Sequence, residues 1–142
     1  MKQIIGDNIL ITQDQLPMVA IPSMNDMHLE EMLIINKLES AARANKVDEV
    51  LATIKELLAH TEIHYANENE LMAKVDFPEF AVHKAEHDRH LKELTSLVKY
   101  FSERGESNAI LAYIEGNLIG WSLHHVETMD ADMAKYVTEA TK

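Results

Sequence analysis

Residues 47–75, VDEVLATIKELLAHTEIHYANENELMAKV, decide the fold. Val50, Ile54, Leu57, Thr61, His64, Glu68, Leu71 and Val75 recur at alternating steps of four and three, which lays them along one face of a 3.6-residue helix. Such a face is the buried seam of a helical bundle. His64 and Glu68 are out of place on it. A buried imidazole or carboxylate without a partner is costly, so something else in the molecule must satisfy both.

Working outward, three further segments carry the same periodicity. Upstream, Ser23 and Asp26 resemble an N-terminal cap, and Met24 to about Ala44 places His28, Met32, Ile35, Leu38 and Ala42 on one stripe. Downstream, Asp76, Phe77 and Pro78 break the chain, and Pro suits the first turn of a new helix. This third helix is expected from about Pro78 to Glu103, with Phe80, His83, His87, Leu91 (or His90), Leu94, Val98 and Phe101 inward, before Gly105 ends it. A fourth is expected over Ser107 to Val137, with Ile110, Ile114, Leu118, Trp121 and His125 inward. Gly116 and Gly120 weaken a helix intrinsically, and close backbone packing is the expected reason for them. Residues 1–22, with Pro17 and Pro22 and no sustained period, read as an arm lying over a bundle that occupies 23–142.

Composition agrees with an all-α chain. Of 142 residues, 46% are apolar and only 4 are Gly and 3 Pro, which favours compact helices over sandwiches or barrels. The net charge of −11, from 24 acidic and 13 basic side chains, argues against nucleic acid and anionic membranes as partners. With no cysteine, disulfides, thiolate metal sites, iron–sulfur clusters and cysteine nucleophiles are excluded, so any metal must be held by N and O donors. The N-terminus lacks the continuous apolar segment of a signal peptide and no stretch is long enough to span a bilayer, so a cytoplasmic location is expected.

Short loops make sequential helices antiparallel, giving an up-down-up-down four-helix bundle. In that topology the start of the first helix, the end of the second, the start of the third and the later part of the fourth share one end. His28, His64 with Glu68, His83 with His87, and His125 therefore converge. A lone inward histidine is usually a hydrogen-bonded core residue, but four helices contributing at one depth point to a metal. The pairs His64/Glu68 and His83/His87 are spaced i, i+4, which stacks two side chains on one helical face. Five histidines with carboxylates exceed the needs of one tetrahedral zinc, so either two metals sit together or some histidines stand behind the ligands. Donor type alone leaves iron, zinc, copper and manganese open. No histidine has Glu three residues before it, which counts against the Glu-x-x-His di-iron class. His60 and His124 step off the stripe and are expected at the surface.

From about Ser23 to Asp130 the sequence resembles the hemerythrins, the bacterial single-domain members especially. The resemblance is carried by SMNDMH ahead of a helix containing INKL, then HYANENELM, HKAEHDRHL and WSLHHVETMD. It implies a non-haem centre of two iron ions bridged by an oxo or hydroxo group. His83, His87 and His125 would hold one iron, His28 and His64 the other, with Glu68 and Asp130 bridging. The iron with two histidines would keep an open position for dioxygen. Tyr65 and Trp121 match aromatic positions lining the oxygen pocket, and His90 stands where relatives carry a bulky apolar or aromatic residue beside it.

His125 to Asp130 is an i, i+5 step that turns the carboxylate about 140° away on a regular helix. Periodicity alone prefers Asp132. Keeping Asp130, as the resemblance requires, predicts a π-bulge in that turn. The implied function is reversible oxygen binding for storage, delivery or scavenging rather than catalysis, by a monomer or small homo-oligomer served by an unidentified reductase. A di-iron enzyme reducing peroxide or nitric oxide, a metal buffer, and a partner-binding bundle governed by oxygen occupancy are the alternatives.

Overall fold

The computed structural model describes residues 15–142. It is an all-α bundle of α1 (Pro22–Arg43), α2 (Val47–Lys74), α3 (Phe80–Arg104) and a long fourth helix over residues 107–140. The connections are short, and in each a residue with positive φ turns the chain: Asn45 at 52°, Asp76 at 51° and Gly105 at 63°. At the first, Asn45 N–H bonds Ala42 O and Lys46 N–H bonds Ala41 O. At the second, Asp76 N–H bonds Ala73 O and Phe77 N–H bonds Met72 O. Both are the paired closure that satisfies the last carbonyls of a helix, and Asn and Asp tolerate the left-handed region it needs. Three sharp turns of this kind make consecutive helices antiparallel.

The first helix begins two residues before Met24. Ile21 caps it without a side-chain bond and Pro22 occupies its first turn, where a missing N–H costs nothing. Ser23 is thus inside the helix and not its cap. Asn25 reaches back instead, accepting from Val19 N–H at 2.9 Å and donating to Val19 O at 3.0 Å. Residues 15–21 therefore lie against the bundle, and Val19 and Ile21 pack on its apolar interior. The rest of the expected arm, residues 1–14, falls outside the described residues.

Two apolar clusters fill the interior. The larger contains Ile35, Leu38, Val50, Ile54, Leu57, Leu94, Phe101, Ile110, Ile114 and Leu118. The smaller contains Met24, Met72, Phe77, Met133, Ala134 and Val137. Along every helix the buried histidines fall between the two: on α2, for example, Leu57 precedes His64 and Glu68, and Met72 follows them. Met72, and not Leu71, continues that seam because it lies four residues beyond Glu68 and is fully buried while Leu71 is not. Burial of this apolar surface is the main force holding the helices together.

The fourth helix contains two π-turns, Ile114–Leu118 and Val126–Asp130. The second is the distortion demanded by the step from His125 to Asp130. Each adds a residue to one turn and resets which face points inward. Gly116 and Gly120 face open space, and a methyl group added at either would meet nothing within 4 Å. Close packing is therefore not the reason for these glycines; Gly116 sits inside the first π-turn, and nothing in the structure explains Gly120.

Candidate metal centre

Seven side chains from all four helices meet between the two apolar clusters. Their ligand-type atoms form two overlapping groups, Glu68, His83, His87, His125 and Asp130, and His28, His64, Glu68 and Asp130, with the atoms of each group within 4.8 Å of one another. All seven residues are buried. The order of the helices explains the meeting. His28 is two turns into α1, His64 and Glu68 lie in the later half of α2, His83 and His87 open α3, and the second π-turn swings Asp130 to the side of His125. Asp132, which regular periodicity favoured, is exposed.

The two carboxylates stand between the imidazoles. Glu68 turns Oε1 to His87 Nε2 (3.1 Å) and His83 Nε2 (3.7 Å), and Oε2 to His64 Nε2 (2.6 Å) and His28 Nε2 (3.7 Å). Asp130 turns Oδ1 to His83 Nε2 (2.9 Å) and His125 Nε2 (3.1 Å), and Oδ2 to His28 Nε2 (3.1 Å). Each carboxylate thus gives one oxygen to a three-histidine side and the other to a two-histidine side. That is the disposition of a bridging carboxylate between two cations.

Close packing of these groups shifts their protonation. Burial alone would lower His28, but the nearby Asp130 and Glu68 carboxylates outweigh it and lift its pKa to about 9. Burial would likewise raise Asp130, yet the His125, His28 and His83 imidazoles around it hold it well down. Glu68 is opposed both by burial and by the charge of Asp130, and His64 and His28 still keep it low.

Even so, His28 Nε2, His87 Nε2, His125 Nε2, Glu68 Oε1 and Asp130 Oδ2 are buried and make no well-formed hydrogen bond among the described residues. Buried polar atoms are rarely left in that condition. A concentration of them on converging lone-pair donors fits cations held by nitrogen and oxygen.

Outside the ligand-type atoms, several contacts orient the imidazoles. Glu31 Oε2 lies 2.6 Å from His64 Nδ1 and 3.1 Å from His60 Nδ1, and His60 Nε2 lies 3.1 Å from Glu30 Oε1. Asn69 Oδ1 lies 2.9 Å from His87 Nδ1. A partner on Nδ1 leaves Nε2 to face the centre. His60 is therefore held between two carboxylates and is not the free surface histidine expected of it, whereas His124 is exposed. Glu31 and Asn69 were not foreseen from the sequence because they look like ordinary surface polar residues. Glu31 lies three residues after His28, near enough in helical phase to share its face, which was the available signal.

A cavity of about 30 Å³ adjoins the centre, with His28, His64, Tyr65, His125, Trp121, Met32 and Ile119 among its walls. Tyr65 also stacks on His87 at 3.9 Å, and Trp121 on His125 at 4.7 Å. His90 does not line this cavity. It is buried behind Tyr65, 2.6 Å from the tyrosine oxygen through Nδ1, with its ring 4.2 Å from that of Trp121. It borders an open groove shared with Glu93, Tyr113 and Gly116, because it takes the inward stripe position on α3 that Leu91 vacates. Burial pushes its pKa down to about 4.

A four-helix bundle holding two overlapping sets of buried imidazoles, joined by shared carboxylates, is a metal-binding bundle protein. The chain belongs to the hemerythrin family: the model of the hemerythrin HHE cation binding domain matches residues 19–137. It is 33% identical over 102 residues to a bacteriohemerythrin of Ralstonia nicotianae, a match covering 72% of each chain. It is 25% identical over 127 residues to a bacteriohemerythrin of Aquifex aeolicus, covering 89% of this chain and 97% of the other. A crystal structure of a hemerythrin point mutant superposes with a TM-score of 0.76 at 20% identity, covering 91% of this chain and 98% of that one. That likeness establishes the common fold.

Proposed function

We propose that the chain holds two iron ions and binds dioxygen reversibly between them and the adjoining cavity. The observation that carries this reading is the division of Glu68 and Asp130, one oxygen of each toward His83, His87 and His125 and the other toward His28 and His64. His83, His87 and His125 would hold one iron, His28 and His64 the other, and the two carboxylates would bridge. The two-histidine position has one protein donor fewer, and both His28 and His64 are on the cavity wall, whereas of the other three only His125 is.

Bound iron would supply the electrons that dioxygen takes up and gives back. What the chain contributes is position and exclusion of water. Glu31 and Asn69 fix the rings of His64 and His87. Tyr65 and Trp121 cover His87 and His125, and Met32 and Ile119 give the cavity an apolar wall. A cavity of about 30 Å³ has room for a molecule about as small as one water, which favours a diatomic gas over a larger substrate. Among the described residues no helix is long and apolar enough to cross a membrane.

Metal analysis followed by visible spectroscopy tests the reading. Two irons per chain are expected, with a charge-transfer band that appears when the reduced protein meets air and fades on degassing. Rapid irreversible oxidation with turnover of peroxide or nitric oxide would replace carriage by catalysis. Two equivalents of zinc in the purified protein, with no colour on iron loading, would sink both.

A further inference from the structure

The two halves of the centre are backed differently. Behind the two-histidine side, His64 Nδ1 meets the Glu31 carboxylate at 2.6 Å, and His60 approaches the same oxygen from its other side at 3.1 Å. Behind the three-histidine side, His87 Nδ1 meets the neutral Asn69 amide oxygen at 2.9 Å. The side chain of Glu31 is only 13% exposed, so its charge is poorly screened. An imidazole donating Nδ1–H to a carboxylate is fixed in one tautomer and is a stronger donor through Nε2 than one donating to an amide.

We propose that Glu31 is a positioning residue for His64 and that its charge makes the two metal positions unequal, favouring metal, and the more highly charged state of that metal, at the His28/His64 side. His60 serves this arrangement by pinning Glu31 from the solvent side, with Glu30 holding its outer nitrogen at 3.1 Å. Asn69 plays the corresponding geometric part for His87 without adding charge. The inference rests on the two metal positions proposed above.

The test is a titration of chelator-treated protein with Co²⁺ against a chelating dye, resolving two stepwise affinities. Glu31→Ala is expected to weaken one equivalent by roughly 10–100-fold and to leave the other within about three-fold. Glu31→Gln, which keeps an acceptor but loses the charge, should fall between Glu31→Ala and wild type, and Glu31→Asp should recover most of the affinity. His60→Ala should shift the same equivalent by less, and Asn69→Ala should weaken the other one. In the iron-loaded protein Glu31→Gln should move one midpoint potential positive, an effect that loss of packing alone would not single out. Unchanged affinities in Glu31→Ala, or equal weakening of both equivalents, overturns the inference. A wild-type protein that takes up fewer than two equivalents defeats the two-position assignment itself, a result visible before any variant is made.

Discussion

Chelation should cost this protein much of its stability. Five buried atoms of the centre, His28 Nε2, His87 Nε2, His125 Nε2, Glu68 Oε1 and Asp130 Oδ2, have no well-formed hydrogen bond, and ligation would satisfy all of them. An unsatisfied buried polar atom costs ~1–3 kcal/mol. The mutual attraction of imidazoles and carboxylates offsets part of that, so the low end applies and the sum is ~5 kcal/mol. For a domain of this size each kcal/mol moves Tm by about 3 °C, which predicts a gap of ~15 °C between loaded and chelated protein.

Thermal melts followed by circular dichroism, with calorimetry on the same samples, would measure the gap, and His124→Ala should reproduce it. A gap under ~3 °C in protein shown to carry two metals would refute the reasoning. It would mean that the ion pairs alone already satisfy the centre.

Three other outcomes are expected. His64→Ala and His87→Ala should each lose bound metal by elemental analysis, while His124→Ala keeps the full complement; retention by either ligand variant would break the assignment. His90 has a pKa of about 4 against an ordinary 6.5, so folding keeps it neutral: the stability this confers is present above about pH 6.5 and is lost as pH falls toward 4, by at most ~3 kcal/mol. Chelated His90→Gln should therefore show a shallower loss of stability than chelated wild type over that window, and parallel curves would show that His90 does not titrate as its burial requires. Gly120→Ala should raise stability by ~0.5–1 kcal/mol, since no neighbour obstructs the new methyl and Ala costs less to order in a helix; a lower Tm would reveal a strained backbone there.

The helices and their antiparallel order were legible because apolar period and turn residues agree from the first helix of the bundle to the fourth. His64 and Glu68 could be singled out because polar residues on an otherwise apolar seam require partners, and the same logic found His28, His83, His87 and His125. Asp130 could not be found that way. Its inward direction depends on an extra residue in one turn, and only the family motif pointed to it. Glu31 was invisible for a different reason: it points partly at solvent, so its residue type matches a surface position, and its task appears only when α2 lies beside it. His90 shows the limit of a stripe, since the period left the inward position open between His90 and Leu91 and gave no sign of the side of Tyr65 on which the ring would settle.

The centre divides the hydrophobic interior into a large cluster and a small one, and the small one, around Met24, Met72, Phe77 and Met133, covers it at the end where α2 turns into α3. Opening of that end requires little apolar exposure and leaves the larger cluster intact, so amide protons near Phe77 and Met133 should exchange through local excursions while those around Leu38 and Ile54 wait for global unfolding. Loading and loss of metal would then follow the frequency of these excursions, making the packing around Phe77 a determinant of how fast the centre exchanges with its surroundings.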